Sequence, residues 1–447
     1  MGSSVSAIRS SSKREIVIIV SHNVGNQSLR QVLTTLREAR LLYQYHTSVY
    51  WDCGWKINRW LPHRVRIELS RRSYPQLPCS QIFATPLREV GRLLAIRCGF
   101  TALTGSKSGL CSIKKVSRAV DRATATAVRC HRPKAVYAYE GTALRSFQAA
   151  RRQGTVCIYE LPCGHWHYEI KLLREEAALR PEYAGTISRL NLSVDREALQ
   201  AFDEELSLAD HVLVPSHYIR RTLEGAVHFK KVRVVPYGAD ESDGLRRPLG
   251  QSGRKLRVLF VGGLTQRKGI GYLIDAVKMM GSAVELTLVG SKVGTCAPID
   301  SATREYRWVP GAPHGQILDE MARHDVMVLP SLTEGFGMVI GEALSRGLPV
   351  ITTMNSGGPE IMRDGREGFF VPIRSAEAIA EKLELLSHDR DLLDCMSSSA
   401  RERAREFSWR RYRETLTMNI IEILGMTDAT PDFLGAVAPG LADSQRR

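Results

Sequence analysis

The 447-residue sequence lacks several features that define a protein class at once. Its nine cysteines form no CxxC pair and no Cys/His spacing typical of a zinc site. Its longest apolar runs, such as residues 16–20, are far shorter than the roughly 20 residues that span a bilayer. No apolar signal segment stands near residue 1. We therefore expect reduced thiols and a cytoplasmic location.

Patterns for metals and nucleic acids are missing as well. No DxD motif follows a predicted strand, and no cluster of histidines and cysteines is present. No motif that reads DNA or RNA can be found. The sequence thus predicts no metal, no cofactor and no nucleic-acid partner.

Negative charge is scarce in the first half of the chain. Residues 1–250 carry 38 Lys and Arg against 22 Asp and Glu, whereas residues 251–447 carry 24 against 25. A basic surface attracts anionic lipids or phosphate-bearing substrates. Two interpretations stay open, peripheral contact with an anionic membrane and an arginine-rich composition without a partner, because no short segment is polybasic.

Apolar runs of strand length alternate with helical patterns in residues 14–238. The run 14–20 precedes a glycine-bearing turn and an amphipathic helix from Ser28 to Leu42, which is the opening of a parallel α/β domain. This alternation predicts a doubly wound sheet. Further strands are predicted at 135–140, 155–161, 211–216 and 232–238, and helices at 86–97 and 112–130.

The same alternation restarts after a polar segment, 239–255, which we interpret as an interdomain linker. Residues 256–409 then form a second α/β domain. Its strands are predicted at 256–263, 285–290, 325–330 and 348–353, and its helices at 269–280, 314–324, 337–346 and 375–387. A helix over 389–425 is broken near 407–409, and the segments 1–13 and 426–447 are expected to be a flexible leader and tail.

Ligands of tandem α/β domains bind at the loops that follow the strands. The first such loop is GGLTQRKG, in which Gly262 and Gly263 let the backbone approach an anion. Arg267 and Lys268 supply cations that can offset the charge of a diphosphate. The alternative is a solvated basic turn.

The second loop is LPSLTEGFGMVIGEAL, where two carboxylates stand eight residues apart. Glu334 lies in the loop and Glu342 in the following helix, while Gly335 and Gly337 expose backbone amides at the helix start. Carboxylates accept hydrogen bonds from sugar hydroxyls. A third loop, 354–371, contains Glu360, for which a role in the donor pocket and a purely structural role stay open.

These motifs, followed by FSW at 407–409, resemble the family 4 retaining glycosyltransferases of GT-B fold. The resemblance covers residues 232–425, and the first half is similar only in layout. It implies two Rossmann-like domains that face a cleft, with the acceptor on the first and the nucleotide sugar on the second. It also implies that helix 410–425 crosses back to the first domain. The expected reaction moves a hexosyl group from a UDP-, GDP- or ADP-sugar to an acceptor hydroxyl, with retention and without a metal.

The resemblance also assigns roles to residues of the second half. Lys268 would bind the donor diphosphate, Glu334 the donor sugar and Glu342 the ribose. Many family members carry arginine at the position of Gly263, and Arg267 would supply that cation here. The remaining donor contacts would come from the backbone of Phe336, Gly337, Met338 and Val339 and from the nucleobase loop 306–311, which contains Val309.

In the first half the resemblance places the loop with Gly25 and Asn26 near the donor phosphates. His165, His167 and Glu140 occupy the region where the family often uses a histidine close to the reacting sugar; His165 is our catalytic candidate. A packed or solvated histidine is the alternative for each. His22 is a weaker candidate.

Two rival functions remain at this point. One is a sugar-nucleotide epimerase of the same fold, and the other is a protein that binds a nucleotide sugar without catalysis. The identity of the acceptor stays open among a sugar, a lipid-linked sugar and a small molecule.

Overall fold

The computed structural model describes residues 17–23, 25–105, 109–187, 196–228, 231–240 and 254–426. The expected leader and nearly all of the expected linker and tail lie outside these residues. The described chain forms two parallel sheets, each flanked by helices, which is the predicted α/β class and the GT-B arrangement. Within the described ranges, no helix is long and apolar enough to cross a membrane.

The first sheet has seven parallel strands in the order β3-β2-β1-β4-β5-β6-β7. Both of its faces are covered, so strands such as β1 and β4 are apolar along their whole length. The strands are β1 Ile18–Ser21, β2 Leu42–Thr47, β3 Ile82–Ala84, β4 Ala135–Tyr139, β5 Val156–Glu160, β6 His211–Val214 and β7 Val232–Val234. The α-helices are α1 Gln27–Glu38, α2 His63–Ser70, α3 Pro86–Arg97, α4 Thr101–Thr104, α5 Ile113–His131, α6 Leu144–Arg151, α7 Trp166–Leu179, α8 Arg196–Leu208 and α9 His217–Thr222.

The second sheet has six parallel strands in the order β10-β9-β8-β11-β12-β13. The strands are β8 Leu256–Val261, β9 Val284–Val289, β10 Arg307–Val309, β11 Val326–Leu329, β12 Val350–Thr353 and β13 Gly368–Val371. The helices are α10 Ile270–Met280, α11 Ala297–Glu305, α12 His314–Arg323, α13 Met338–Ser345, α14 Gly358–Ile361, α15 Ala376–His388, α16 Arg390–Ala404 and α17 Trp409–Ile423.

Some element boundaries predicted from the sequence were wrong. The first helix ends at Glu38 and not at Leu42, because Arg40 takes a left-handed conformation (φ 54°) and Leu42 begins β2. The strands β2, β3, β10 and β13 and the helices α2, α4, α7, α8 and α11 were missed. Three of these strands have only three or four residues, too few for an apolar run to stand out.

The last helix, α17, joins the two sheets into one body. It begins at Trp409, directly after the FSW segment, and packs on α1 of the first sheet. Arg413 of α17 donates a hydrogen bond of 2.8 Å to Gln31 of α1. Trp409 and Tyr412 pack against Tyr237, which follows β7, with ring centroids 6.2 and 5.7 Å away. The chain thus crosses back to the first sheet after completing the second.

Candidate functional site

The order of strands reverses at one place in each sheet. β1 neighbours β4 in the first sheet, and β8 neighbours β11 in the second. In open parallel sheets, ligands bind outside the carboxyl ends of the strands at such a reversal, where the two following loops diverge. Gly25 and Glu140 follow β1 and β4, while Lys268 and Glu334 lie in the loops after β8 and β11.

Lys268 lies in a short turn, Gln266–Lys268, between β8 and α10. Its aliphatic stem crosses Gly262, whose φ of 144° favours glycine and where an added Cβ would come within 2.9 Å of the lysine Cδ. The glycine therefore makes room for the lysine. At the tip, Nζ donates a hydrogen bond of 2.5 Å to Oε2 of Glu334.

Arg267 completes a cluster of two cations and one anion. Its Nη1 lies 3.6 Å from Oε2 of Glu334 and donates a 2.8 Å hydrogen bond to the carbonyl of Thr333. Burial raises the pKa of Glu334, but the charges of Lys268 and Arg267 outweigh it and lower the pKa below its ordinary value. Glu334 is thus ionised at neutral pH, and the cluster keeps one net positive charge.

Helix α13 starts beside this cluster. Gly337 precedes it in a left-handed conformation (φ 75°), which lets the chain turn sharply from the Glu334 loop into the helix. The free amides of the first turn can bind an anion. Glu342, on α13, lies 3.5 Å from Nε2 of His314, and burial raises its pKa. The two predicted carboxylates therefore have different partners and opposite pKa shifts.

The first domain touches the Glu334 loop directly. Gly335 lies so close to the carbonyl of Pro162 that no side chain would fit there, and its own carbonyl accepts a 2.9 Å hydrogen bond from the Ser216 hydroxyl. Thr333 donates a 2.6 Å hydrogen bond to Oε1 of Glu169, in the first turn of α7. The cluster accordingly faces the groove between the domains.

Sequence reasoning missed Glu169 and Thr333. Burial raises the pKa of Glu169, with opposing effects from the Thr333 hydroxyl and Arg267. The only sequence signal was an acidic residue at the start of a helix that we had not predicted. Burial, followed by repulsion from Glu169, raises the pKa of Glu140 to about 7. Two carboxyl groups of the first domain therefore belong to the surroundings of the cluster.

The predicted histidines lie beside this region in different surroundings. His165 precedes α7 and is only 7% exposed; its backbone amide donates to the hydroxyl of Thr222 at 2.9 Å. Burial, followed by repulsion from His167, lowers the pKa of His165 to about 4, so its ring is neutral at pH 7. His167 is exposed and lies 3.1 Å from Asp203. Of the two histidines, only His165 is buried.

The remaining candidates are mostly engaged in structural contacts. The Asn26 side chain caps α1 by accepting from the amide of Leu29 at 2.7 Å, and Gly25 packs against Tyr74. His22 contacts Tyr139 edge to face.

Glu360, for which we left a donor-pocket role and a structural role open, reaches across the domain interface. It is nearly buried and holds His217 of α9 at 2.9 Å, which favours the structural interpretation. Val309 ends β10, where its carbonyl accepts from Gly290 at 2.8 Å. Among the described residues, no three metal-ligating side chains come together.

The comparison with protein families finds a match for the part of the chain that contains the second sheet. Residues 242–403 match the family of group 1 glycosyl transferases. The match contains the glycine turn, the Lys268 cluster and α13.

Curated relatives are similar over about half of this chain. The colanic acid biosynthesis glycosyltransferases named WcaL of Salmonella typhimurium and Escherichia coli are both 29% identical to it, over 53% and 52% of the chain. The aligned part spans 63% and 62% of their own lengths. A teichuronic acid biosynthesis glycosyltransferase, TuaC of Bacillus subtilis, is 28% identical over 43% of the chain.

Solved structures share the fold along almost the whole chain. A sucrose-phosphate synthase from Thermosynechococcus elongatus covers 93% of this chain and is itself fully covered, with a TM-score of 0.61 and 17% identity. HepE of Anabaena, solved with UDP and glucose, covers 91% with a TM-score of 0.55 and 16% identity; 99% of HepE is covered. These similarities establish the two-domain GT-B fold.

Proposed function

We propose that this protein is a glycosyltransferase that takes a sugar from a nucleotide-diphosphate donor bound at the Lys268 cluster. The observation that carries the proposal is the convergence of Lys268, Arg267 and the start of α13 at the strand reversal of the second sheet. The WcaL and TuaC relatives are named glycosyltransferases, and HepE was solved with UDP and glucose, which supports a nucleotide-sugar donor.

The charges of the cluster suit a departing diphosphate. Lys268 and Arg267 would shift from Glu334 toward the phosphates, while the amides at the start of α13 hold the remaining oxygens. The negative charge that develops on the departing diphosphate is then stabilised by groups that folding has already placed beside it. Glu334, ionised and released from these cations, would accept hydrogen bonds from hydroxyls of the donor sugar. Glu342 would do so for the ribose.

We further propose that transfer needs no metal and retains the configuration at the anomeric carbon. The bond from that carbon to the diphosphate breaks, and the diphosphate keeps the electron pair. The acceptor oxygen forms its bond on the same face, and its proton passes to the departing phosphate oxygen. Nuclear magnetic resonance of the first-formed product would show the anomeric configuration, and inversion would contradict this part.

Donor binding is tested by thermal shift with UDP-, GDP- and ADP-sugars. We expect one of these donors to raise the melting temperature and Lys268→Ala and Glu334→Ala to remove that rise. Removing the cation should also lower kcat/KM by about 10²-fold or more. Lys382→Ala is the control, since Lys382 pairs with its neighbour Glu381 on α15, and it should respond like the wild type. A full response by both site variants would contradict the site.

The rival functions predict different products. An epimerase converts the donor without any acceptor, and a silent binding protein shows the thermal shift but no turnover. Chromatography of the donor with and without acceptor extracts separates these outcomes.

All nine cysteines are unpaired in the structure, which supports the proposed cytoplasmic location.

A further inference from the structure

Exposed apolar side chains concentrate in one part of the first domain. Among the described residues, 17 large apolar side chains are strongly exposed, and eight of them fall within residues 87–113. Scattered exposed apolar residues are normal on a protein surface, but a cluster of this kind marks an interaction surface. The eight are Leu87, Val90, Leu94, Ile96, Phe100, Leu103, Leu110 and Ile113.

Helix α3 presents three of these side chains on one face. Leu87, Val90 and Leu94 follow helical spacing and are 89%, 43% and 57% exposed. Other positions of the helix are packed: Glu89 and Ala95 are buried, and Gly91 lies against the sulfur of Cys111. The apolar row is therefore the outer face of a fixed helix. We call Leu87, Val90, Leu94 and Phe100 the α3 ridge.

The segment of the sequence that contains the ridge is strongly basic. Residues 55–118 contain 13 Lys and Arg and only two acidic residues, Glu68 and Glu89. Glu89 is buried and neutralised by Arg92 at 2.6 Å, with Arg72 at 3.7 Å. Arg97 is exposed and continues the helical row one turn beyond Leu94. Lys114 and Arg118 pair with Glu197 of α8 at 2.6 Å, but the segment keeps an excess of positive charge. Exposed apolar side chains beside an excess of positive charge are typical of a surface that binds an anionic bilayer.

We propose that the α3 ridge docks this protein onto an anionic lipid surface. The leucines and Phe100 enter the boundary between headgroups and acyl chains, while arginines such as Arg97 contact the phosphates. An anionic bilayer supplies both parts of this match, negative headgroups for the cations and an apolar layer for the exposed leucines.

The α3 ridge belongs to a helix that begins at the same edge of the first sheet as the loop with Gly25, where we expect the acceptor groove. Helix α3 begins two residues after β3, at the carboxyl edge of the first sheet. The loop with Gly25 follows β1 at the same edge, because the strands are parallel. A membrane on the α3 ridge would lie beside the acceptor side of the groove. Docking is independent of the donor site, so either proposal can fail alone.

Vesicle flotation tests the docking surface. We expect the wild type to float with vesicles of phosphatidylcholine and phosphatidylglycerol at low salt, and to bind weakly to phosphatidylcholine alone. High salt should weaken the binding because it screens the arginines. The double variant Leu87→Glu and Leu94→Glu should lower the partition coefficient at least about tenfold, since two leucines that would enter the bilayer are lost.

The matched control is Leu385→Glu with Met418→Glu, two exposed apolar helix positions elsewhere on the chain, which should bind like the wild type. Arg97→Glu, compared with Arg411→Glu, checks the charge contribution without touching the leucines. Each variant must keep the wild-type melting temperature and donor-induced shift, which separates docking from folding and from the proposed function.

Three results would overturn the proposal. The first is no flotation of the wild type, and the second is equal flotation with both lipid compositions at both salt levels. The third is unchanged binding by both the leucine variant and Arg97→Glu. Self-association that the leucine variant abolishes, without vesicle binding, would overturn it as well and would assign the ridge to a second copy of the chain.

Discussion

At the residue scale, the defining feature is a partly buried ion pair in the loops that follow β8 and β11. Nζ of Lys268 lies 2.5 Å from Oε2 of Glu334, and Arg267 stands close enough to share the carboxylate. Removing one partner of such a pair is costly, because the other charge is left partly buried with fewer partners. A diphosphate would replace Glu334 as the partner of the cations. In the structure, both cations are therefore engaged by the Glu334 carboxylate.

His165 makes a prediction about pH at the same scale. Because burial lowers its pKa to about 4, the folded protein binds this proton only below that pH, whereas an unfolded histidine binds it below about 6.5. Between these values the unfolded state holds more protons, so stability is lost as the pH falls. The loss through this one residue amounts to at most about 3 kcal/mol.

Melting temperatures at pH 7 and pH 4.5 measure this effect. We expect His165→Gln to lose less of its stability than the wild type on acidification, although the variant is less stable at pH 7. His388→Gln removes an exposed histidine on α15 and serves as the control. Equal acid sensitivity of wild type and His165→Gln would show that His165 is not held neutral.

At the scale of elements, continuous apolar runs identified most strands of the described residues but missed β2, β3, β10 and β13. Strand β1 and its neighbour β4 lie inside the sheet and read as unbroken apolar segments. The edge strands β3 and β10 contain three residues each, too few for an apolar run to be told from a loop. Their strand state comes from pairing with a neighbour, which no local pattern encodes.

The crossing helix α17 carries a prediction at this scale. Trp409 is 6% exposed and packs against Tyr237 and Tyr412, whereas Trp60 is 87% exposed. Trp409→Ala should destabilise the protein by about 3–5 kcal/mol, because it leaves a cavity between α17 and the first domain. Trp60→Ala should leave the free energy of unfolding almost unchanged. Urea denaturation followed by circular dichroism would measure both, and similar losses would contradict the assigned packing.

At the scale of the whole molecule, the two domains are held together by a fully buried carboxylate. Glu176 of α7, in the first domain, accepts hydrogen bonds of 2.7 Å from Gln266, 2.8 Å from Tyr272 and 2.8 Å from Arg374. All three donors belong to the second domain. The contact includes Gln266 of the turn that carries Lys268, so it ties this turn to α7 of the first domain.

We expect Glu176→Ala to loosen the domain pair, since three buried donors lose their acceptor. Small-angle X-ray scattering should show a larger radius of gyration, and the melting temperature should fall. The neighbouring Glu175 is 47% exposed and touches Arg374 only at 3.6 Å, so Glu175→Ala is the control. An unchanged scattering curve for Glu176→Ala would mean that other contacts hold the domains.

The sequence by itself determined the α/β fold class, most of the strands and the place of Lys268, Arg267 and Glu334 in loops that follow strands, because these depend on local apolar runs and on short motifs. Only the tertiary structure decided that Glu334 is paired with Lys268, that Glu169 reaches Thr333 from the other domain, and that the α3 leucines face outward. Such facts depend on contacts between residues far apart in the chain, whose burial and charge exist only after the sheets have packed.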